Sequence, residues 1–477
     1  MVLWIGVDDT DSLQGMCTTF LATEIVRDLT RDHDLIGYPR LVRLNPSIPW
    51  KTRGNGAVCI RVGQGRGRGS CVGQIDGRPV VSYLRGDLLD SAESVLKRVV
   101  FVTKRWASFG DPETNPGIVV LRERPSARLY RRAVQDVVPL AAVESWLPGR
   151  GAWRGFKNRR GLIGAAAATA WRPRDKTFEI VAYRHPDFWG TTRQVDPESV
   201  LDMDAKFTST FNNIDRPTNH VALAPHSPCP VLYGIRGEDP GELPSAMATL
   251  RDELPWRWML FESNQGTDDH IRMNDWSLAR YSSTSVEVQI VTPGRSLPGG
   301  HVIVGAMGKR ILDLAFYEPS KDFRRIAAQL RPGDRVRVWG SQRDDGKSLN
   351  VEKLRVDALA PDRIRIGNPV CPSCGKRMKS MGRGHSFRCV RHHARAPSAA
   401  GTWIDVAREL RPGWYEPPAF ARRHLSKPVQ RIRMNAITSS VRQPDEPRET
   451  ASSTARWHPS LESVSFVRSR TPSDSVG

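Results

Sequence analysis

The feature that most limits how this chain can fold is a short segment with two pairs of metal-binding side chains. Two residues separate Cys371 from Cys374 and Cys389 from His392, and the pairs stand fourteen residues apart. Structural zinc takes four nitrogen or sulfur ligands in a tetrahedron, and a segment this short cannot build a core without a metal. We therefore predict a zinc ribbon in which Zn²⁺ has a structural role, with His393 as the alternative fourth ligand.

The charge of the chain favours a polyanionic partner. The 477 residues include 71 Lys and Arg against 51 Asp and Glu, which leaves a net charge of +20. Positive side chains that displace counterions from a phosphate backbone favour binding to nucleic acid. An arginine preference of the whole organism is the alternative explanation, and the composition leaves both open.

The sequence also predicts the cellular compartment. The longest apolar run, residues 162–171, has ten residues, whereas a membrane helix needs about 20. The start, MVLWIGVDD, is typical of a buried strand and lacks the basic residues of a signal peptide. Seven cysteines form an odd set, and no Asn-x-Ser/Thr acceptor occurs. We expect a cytoplasmic protein with no membrane association and no disulfides.

Strand and helix patterns predict a multidomain α+β protein. Apolar strands alternate with amphipathic helices at first, and the small-residue run GLIGAAAATAW then suits a helix packed closely on a sheet. Five short strands split by Gly and Pro suit an OB-fold β-barrel, and a Ser-, Pro- and Arg-rich end predicts disorder. The predicted regions are an α/β domain at 1–150, a ferredoxin-like domain at 151–280, the barrel at 281–362, the zinc ribbon at 366–400, a basic segment at 401–433 and a disordered tail at 434–477.

The sequence GVDDTDS places three carboxylates, Asp8, Asp9 and Asp11, after the first predicted strand. Carboxylates this close repel one another unless a cation lies between them, so a Mg²⁺ site that carries nucleotide phosphates is one interpretation. Thr18 follows near the predicted start of a helix, where free N–H groups favour a phosphate. The alternative is a solvated acidic turn followed by a threonine N-cap.

Two loops contain residues suited to phosphate binding. In KTRGNG, two cations beside two glycines would let the backbone close on phosphate oxygens. The second loop, TNPG, precedes another predicted strand, and ordinary turn chemistry is the alternative for both. The candidate residues are Lys51, Arg53, Gly54 and Asn55 in the first loop and Asn115 in the second.

Familiar nucleotide-binding signatures are missing from the sequence. The nearest match to a P-loop, residues 340–348, has one residue too many and precedes a strand pattern. The run GQGRGRG at 63–69 does not fit G-x-G-x-x-G, and we interpret it as a basic hairpin tip able to touch RNA phosphates, or as a passive flexible turn. Three polar loops, NNID, PHSPCP and FESNQGTD, supply carboxylates able to hold a cationic small molecule.

The order of these motifs resembles the archaeal agmatidine synthetases, also called 2-agmatinylcytidine synthetases, which modify the wobble cytidine of an isoleucine tRNA. The resemblance runs from residue 5 to about residue 431. The matching stretches are GVDDTDS with GMCTT, RLVRLNPSIPWKTRGNGAV, TNPGIVV, RRGLIGAAAA, FEIVAYR, APHSPCPVLYGIRGE, FESNQGTDDH, CPSCGKRMKSMGRG and RHLSKPVQR. Where that family has a second Cys-x-x-Cys, this chain has Cys389-x-x-His392.

The resemblance implies an ATP-dependent ligase with an unusual kinase-like domain. In that family ATP phosphorylates the 2-carbonyl oxygen of the cytosine, and the amine of agmatine then displaces the phosphate. The barrel and the ribbon would hold the isoleucine tRNA. The implied site residues are Asp8, Asp9 and Asp11 for Mg²⁺ and phosphates, Thr18 as phosphate acceptor, Lys51, Arg53, Gly54, Asn55 and Asn115 near the phosphates, and Asp215 and Cys229 for agmatine.

Two alternatives remain open from the sequence. The chain could be a nucleic-acid-binding protein whose barrel and ribbon grip RNA without chemistry, or an enzyme of the same type that uses a different amine. Exchange of Asp11 for alanine separates the first alternative from the enzyme, because only the enzyme loses turnover while tRNA stays bound.

Overall fold

A computed structural model describes residues 2–52, 54–343, 345–382 and 385–434. The predicted tail at 434–477 therefore lies outside the described residues, apart from Met434. The described chain is a mixed α+β structure built on a large sheet, a five-stranded barrel and a small ribbon. No helix in the described part of the chain is long and apolar enough to cross a membrane. All seven cysteines have free thiols.

The chain up to residue 155 alternates strands with helices, as the sequence predicts. Its elements are β1 (Leu3–Asp8), α1 (Thr18–Leu29), β2 (Asp34–Ile36), β3 (Arg40–Arg43), β4 (Gly56–Ile75), β5 (Arg78–Asp87), α2 (Ala92–Trp106), β6 (Gly117–Leu121), α3 (Ala127–Gln135), α4 (Leu140–Glu144) and β7 (Gly151–Gly155). The apolar face of α1, including Phe20, Ile25 and Leu29, is buried. The stretch LIGYPRLVRL forms two strands, β2 and β3, and not one.

The predicted hairpin tip at residues 63–69 is wrong, because this run lies inside the long strand β4. Strands β4 and β5 form a hairpin that turns instead at Asp76 and Gly77, whose φ angles are 52° and 75°. A Cβ at Gly65 would lie 2.5 Å from Cγ of Tyr83 on β5. The glycine therefore makes room for an aromatic ring across the strand, and the run has a packing role that its turn-like composition conceals.

The region from residue 156 to 273 extends the same sheet. Its elements are α5 (Gly161–Ala170), β8 (Thr177–Tyr183), α6 (Pro197–Lys206), β9 (Thr210–Phe211), β10 (Ile214–Asp215), β11 (His220–Val221), β12 (Val231–Gly237), α7 (Leu243–Ala248), β13 (Arg257–Ser263) and β14 (Ile271–Met273). Strands β8, β9, β12 and β13 belong to the large sheet, whose order is β7-β6-β1-β4-β3-β13-β8-β12-β9 with β13 parallel to β3. At this junction Arg40 Nε donates to Glu262 Oε2 over 2.9 Å, and both side chains are buried. Strands β10 and β11 pair with each other, and β14 pairs with the strand that begins the barrel.

Helices cover both faces of the large sheet, so its strands are apolar on both sides. One core contains residues of α1 and α2, and the other contains residues of α3, α4 and α5. Helix α5 is buried over nearly its whole length. A Cβ on Gly6 of β1 would lie 2.7 Å from the Ala165 carbonyl carbon of α5. The small residues of GLIGAAAATAW thus allow the close helix-on-sheet packing that the sequence predicts.

The five predicted short strands form a closed barrel, which confirms that prediction. The elements are β15 (Ser283–Ile290), β16 (Arg295–Ser296), β17 (Val302–Met307), β18 (Ile311–Phe316), α8 (Asp322–Ala328), β19 (Arg335–Gln342) and β20 (Ser348–Ala358). The order β15-β19-β20-β18-β17 closes through a β15–β17 pairing, where Gln289 faces Met307. Val286, Val304 and Leu354 fill the interior.

Short strands and turns follow the barrel. They are β21 (Asp362–Gly367), β22 (Lys379–Ser380), β23 (Phe387–Arg388), β24 (Arg395–Ala396), β25 (Thr402–Val406), β26 (Gly413–Tyr415) and the 3₁₀ helices Ser398–Ala400 and Ala419–Ala421; two further 3₁₀ helices, Pro186–Phe188 and Glu318–Ser320, lie earlier in the chain. Strands β22 to β24 form the ribbon, and β26 pairs with β20 of the barrel.

After β26 the chain returns to the large sheet. Arg431 is buried there and donates to the Asp175 carboxylate over 2.9 Å, and it also pairs with Glu238. Leu425 joins the core around α5. The predicted basic segment at 401–433 is therefore anchored to the first half of the protein by buried ion pairs and apolar contacts.

Candidate active site

The acidic cluster lies where β1 meets α5. Strand β1 ends at Asp8, and Asp9 has a φ of 58°, so the chain turns sharply there. A Cβ at Gly164 of α5 would lie 2.5 Å from Asp8 Cγ and closer still to Oδ2. Only glycine at this position leaves space for the Asp8 carboxylate against the helix.

Burial and mutual repulsion make the Asp8 and Asp9 carboxyl groups reluctant to ionise. Burial, then the neighbouring Asp9, raises the pKa of Asp8 well above its ordinary value. Burial, then Asp11, raises the pKa of Asp9 to about 7, although the Asn115 backbone amide donates to the Asp9 carboxylate. Three neighbouring carboxyl groups suit a hard divalent cation, whose charge would lower the pKa values of Asp8 and Asp9.

Thr18 is the first residue of α1 and is buried. The N-cap residue is Cys17, and its side chain does not cap the helix, so the predicted alternative of a threonine N-cap is wrong. The Thr10 hydroxyl donates to the Thr18 hydroxyl over 3.1 Å. The Thr18 oxygen is thus held at a helix start, where the N–H groups and the helix dipole favour negative charge.

Two neighbouring cavities contain most of the predicted site residues. The first cleft, about 70 Å³, is lined by all three acids together with Lys51 and Asn55. The second cavity, about 330 Å³, is lined by Asp11, Thr18, Gly54, Asn55 and Cys229. Asp11 and Asn55 line both, so the acidic cluster and Thr18 lie on either side of one shared wall.

The structure does not bring every predicted residue to these cavities. The Asn115 side chain donates to the Glu113 carbonyl over 2.9 Å, and this residue reaches the acids through its backbone amide. Asp215 lies in the β10–β11 hairpin, where its carboxylate accepts a 2.6 Å hydrogen bond from Thr218, and it lines neither cavity. Arg53 lies outside the described residues.

Several residues of the two cavities were not predicted from the sequence. Arg160 lines the first cleft, stacked 4.6 Å from the Trp50 ring. The second cavity includes Glu179 and Arg236, paired over 3.1 Å. Others in the second cavity are Arg43, His226, Phe420 and His424. Most of these stand in stretches that match the agmatidine synthetases, such as RLVRLN, FEIVAYR and RHLSKP, which was the one available signal.

The ribbon brings the four predicted zinc ligands together. The ligand atoms of Cys371, Cys374, Cys389 and His392 lie within 4.8 Å of one another. Cys374 Sγ is 3.7 Å from Cys389 Sγ, and His392 Nδ1 is 3.8 Å from Cys371 Sγ. A tetrahedron with Zn–S bonds of about 2.3 Å has edges of about 3.8 Å, so the donor set fits Zn²⁺.

Electrostatics and geometry agree on this ligand set. Burial raises the pKa of the Cys371 thiol, but hydrogen bonds from the Ser373 amide and from His392 outweigh it and lower the pKa to about 6. A thiolate is the form that binds zinc. The His393 side chain instead contacts Arg388, with 2.7 Å between Nδ1 and Nη2, so the donor set includes His392 and not His393.

The fold and these sites define a class of multidomain proteins that combine two neighbouring cavities beside an acidic cluster with a five-stranded barrel and a zinc ribbon. Three family models match the chain: the TiaS TCKD domain at residues 4–157, the TiaS FLD domain at 159–270 and the TiaS C-terminal zinc ribbon domain at 368–410. The chain belongs to the TiaS family, the 2-agmatinylcytidine synthetases of isoleucine tRNA, as its motifs predict.

Individual relatives cover nearly the whole described chain. The isoleucine-tRNA 2-agmatinylcytidine synthetase TiaS of Archaeoglobus fulgidus is 38% identical over 91% of this chain and 98% of its own length. The Methanosarcina mazei protein of that name is 37% identical over 90% and 97%. A crystal structure of TiaS with isoleucine tRNA and ATP is similar with a TM-score of 0.76, at 37% identity over 90% of this chain and 97% of that one. For TiaS with isoleucine tRNA, AMPCPP and agmatine the TM-score is 0.74, at 34% identity over 94% and 99%.

Proposed function

We propose that this protein is an ATP-dependent ligase that attaches agmatine to a cytidine of isoleucine tRNA. The observation that carries the proposal is the match to 2-agmatinylcytidine synthetases over 98% of a relative's length. Relatives have been crystallised with isoleucine tRNA and ATP, and with isoleucine tRNA, AMPCPP and agmatine. The two neighbouring cavities of this chain support a reaction in two steps, in which ATP activates the cytosine and agmatine then attacks it.

The chemistry follows from the poor leaving ability of a carbonyl oxygen. The 2-carbonyl oxygen of the cytosine attacks a phosphorus of ATP, and the bond from that phosphorus to its bridging oxygen breaks. The agmatine amine then attacks C2, the C2–O bond breaks, and inorganic phosphate leaves with the former carbonyl oxygen, while the amine loses its proton. Both steps depend mainly on positioning and on neutralising charge.

The first cleft is the proposed phosphate site. Asp8, Asp9 and Asp11 would hold Mg²⁺, which when bound neutralises phosphate charge. Lys51 supplies a cation to the same cleft, and Asn55 forms part of its wall. Gly54, Arg53 and the Asn115 backbone complete the proposed phosphate-binding set. Residues 1–150 would thus act as the kinase-like domain.

Thr18 is the proposed phosphate-accepting residue: in a transfer separate from that to the cytosine, its hydroxyl oxygen would bond to a phosphorus of ATP while the bond from that phosphorus to its bridging oxygen breaks and the hydroxyl proton leaves. Its hydroxyl lies at the start of α1 in the second cavity, across the Asp11 wall from the acidic cluster. The hydrogen bond from Thr10 orients this oxygen, because the Thr10 proton occupies one of its lone pairs. The geometry supports transfer of a phosphoryl group between the two cavities.

The second cavity, lined in part by the proposed ferredoxin-like domain at residues 151–280, is the proposed agmatine site. Agmatine carries an amine and a guanidinium, and the carboxylates of Asp11 and Glu179 line this cavity. Cys229 also lines it, and Arg193 holds its loop by donating to the Cys229 carbonyl over 3.0 Å. Asp215 remains a candidate for the guanidinium only if the β10–β11 hairpin moves toward the cavity.

The barrel at 281–362 and the ribbon at 366–400 are the proposed tRNA-holding modules. Five-stranded barrels of this kind commonly bind single-stranded nucleic acid. Exposed cationic side chains surround the zinc ligands, including Lys376, Arg377, Lys379 and Arg391. With the tRNA body held there, the target cytidine has to leave its stack to reach the cavities.

Mass spectrometry of nucleosides tests the proposal. Purified protein, ATP, agmatine and an isoleucine tRNA transcript should yield a cytidine whose mass has increased by agmatine minus water. Lysine and spermidine in place of agmatine should yield no adduct, which separates this amine from others. Asp11→Ala should abolish the product while tRNA binding persists, whereas Asp322→Ala, an exposed barrel acid 72% accessible, should act like the unaltered protein. Absence of product with all three amines would favour the binding-only alternative.

A further inference from the structure

A third cavity, of about 350 Å³, adjoins the two cavities already described. Its cationic lining comes from Arg43 at the end of β3, Lys51 in the following loop, and Arg423 with His424 in the carboxyl-terminal segment. It shares Lys51 with the first cleft and Arg43 with the second cavity. The remaining lining is Leu44, Pro46, Gly54 and Leu425. No Asp or Glu occurs among the described residues that line it.

Among the described residues, no carboxylate in the wall of this cavity pairs with its cationic side chains. Arg43 is half-buried, and its Nε is inaccessible and has no hydrogen-bonding partner among the described residues. Lys51 Nζ donates to the Pro46 carbonyl. Arg423 reaches Glu352, which lies outside the lining, over 3.3 Å and donates to the Ser341 hydroxyl over 2.8 Å. A buried guanidinium donor without an acceptor is costly unless an anion meets it.

The neighbouring histidine supports this description. The His424 ring is exposed and lines the second and third cavities. The proximity of Arg43, then burial, lowers its pKa well below the ordinary value. A neutral imidazole can accept or donate a hydrogen bond without repelling the cations around it. The net charge of the lining is therefore set by two arginines and one lysine.

We infer that this cavity binds a phosphate group through Arg43, Lys51 and Arg423 while the ligase reaction proceeds. Arginine forks match phosphate oxygens in pairs, and lysine adds a point charge. That phosphate binds during the ligase reaction rests on the proposed function, whereas the anion site itself is inferred from the residues of the cavity. Phosphate oxygens could come from two sources: the phosphate that ATP supplies, or the RNA backbone beside the target cytidine.

Paired binding measurements distinguish these sources. We would measure the affinity of the full-length protein for inorganic pyrophosphate by calorimetry, and for an isoleucine tRNA transcript by filter binding at several salt concentrations. Arg43→Gln removes the charge at similar length, and Arg43→Lys keeps the charge without the fork. Loss of charge-assisted hydrogen bonds should weaken the affected ligand by about tenfold to a hundredfold in Arg43→Gln and less in Arg43→Lys.

Each outcome decides the inference. Weaker pyrophosphate binding with unchanged tRNA binding assigns the site to ATP-derived phosphate. Weaker tRNA binding, with a salt dependence shallower by about 0.7 per lost contact, assigns it to the RNA backbone. Unchanged binding of both ligands in Arg43→Gln and in Arg423→Gln overturns the inference. If Arg43→Gln does not melt cooperatively, Arg423→Gln and Arg43→Lys decide in its place.

Arg61→Gln is the matched control. Arg61 is also a half-buried arginine, stacked 5.2 Å from the Trp4 ring, but it lines none of the three cavities. Its exchange should leave both affinities within about twofold. Product formation by the unaltered protein is measured in the same series. If that product is absent, the proposed ligase function fails, while pyrophosphate and tRNA binding still judge the cavity.

Discussion

Exchange of Gly164 for alanine should inactivate the acidic cluster without unfolding the protein. A Cβ at this position would lie 2.5 Å from Asp8 Cγ and 2.8 Å from Leu44 Cδ1. Carbon atoms in contact prefer about 3.5–4.0 Å, so the carboxyl group has to retreat by about 1 Å. A misplacement of about 1 Å can slow a reaction about a hundredfold, which corresponds to about 2.7 kcal/mol in activation free energy.

The stability of this variant should change little. Alanine improves the helix propensity of α5 by about 1 kcal/mol relative to glycine, whereas overpacking costs about 1–3 kcal/mol. We therefore expect a net loss of about 0–2 kcal/mol in the free energy of unfolding, measured by urea denaturation. The larger effect should be in the single-turnover rate of adduct formation, with tRNA affinity unchanged.

Gly110→Ala is the control, because a Cβ there would meet nothing within 4 Å. It should keep the unaltered rate. A Gly164→Ala protein that reacts at the normal rate would refute the reasoning, since Asp8 would then tolerate displacement. A variant that loses both rate and cooperative unfolding would show that the contact serves packing rather than the position of the carboxylate.

Three further predictions concern protonation, metal and the returning segment. Burial, then Asp11, raises the pKa of Asp9 to about 7 from 3.8, so the metal-free folded state holds a proton that the unfolded chain releases. The free energy of unfolding of the unaltered protein, relative to that of Asp9→Asn, should therefore fall as pH rises from about 4 to 7. A relative value that is independent of pH in urea denaturation would contradict this. Cys389→Ser should remove stoichiometric zinc, measured by elemental analysis, and weaken tRNA binding while pyrophosphate binding persists; retention of one zinc per chain would exclude our ligand set. Arg431→Ala should lower the free energy of unfolding by about 2–3 kcal/mol, because charge-assisted hydrogen bonds are lost. The loss is no larger because the partner carboxylates of Asp175 and Glu238, 32% and 28% accessible, regain water. The exposed Arg433→Ala should lower it by under about 0.5 kcal/mol.

Local patterns predicted the elements whose stability is decided locally. The apolar face of α1, the small residues of α5 and the five barrel strands follow from the spacing of side chains within one segment. The zinc ligands were predictable because tetrahedral coordination restricts both residue type and spacing. The proximity of the acids to Thr18 was predictable because these residues stand within eleven positions of one another.

Features that depend on distant pairing could not be predicted in this way. The junction of Arg40 with Glu262 joins residues 222 positions apart, and no periodicity within either strand specifies that partner. The glycines of β4 resemble a turn in composition, and neighbours distant in sequence explain several of them: the Tyr83 ring faces Gly65, and the Asp87 backbone faces Gly63. Arg43 and His424 meet at a cavity because two distant segments converge there, and each segment alone matches an ordinary strand or loop.

The return of the carboxyl-terminal segment has a consequence for biosynthesis. Arg423 donates to Ser47 across 376 positions of sequence, so the wall of the third cavity combines early and late parts of the polypeptide. A nascent chain still attached to the ribosome can form much of its sheet before this wall exists. The third cavity should therefore lack part of its cationic wall until the segment around Arg423 has been synthesised and has left the ribosome.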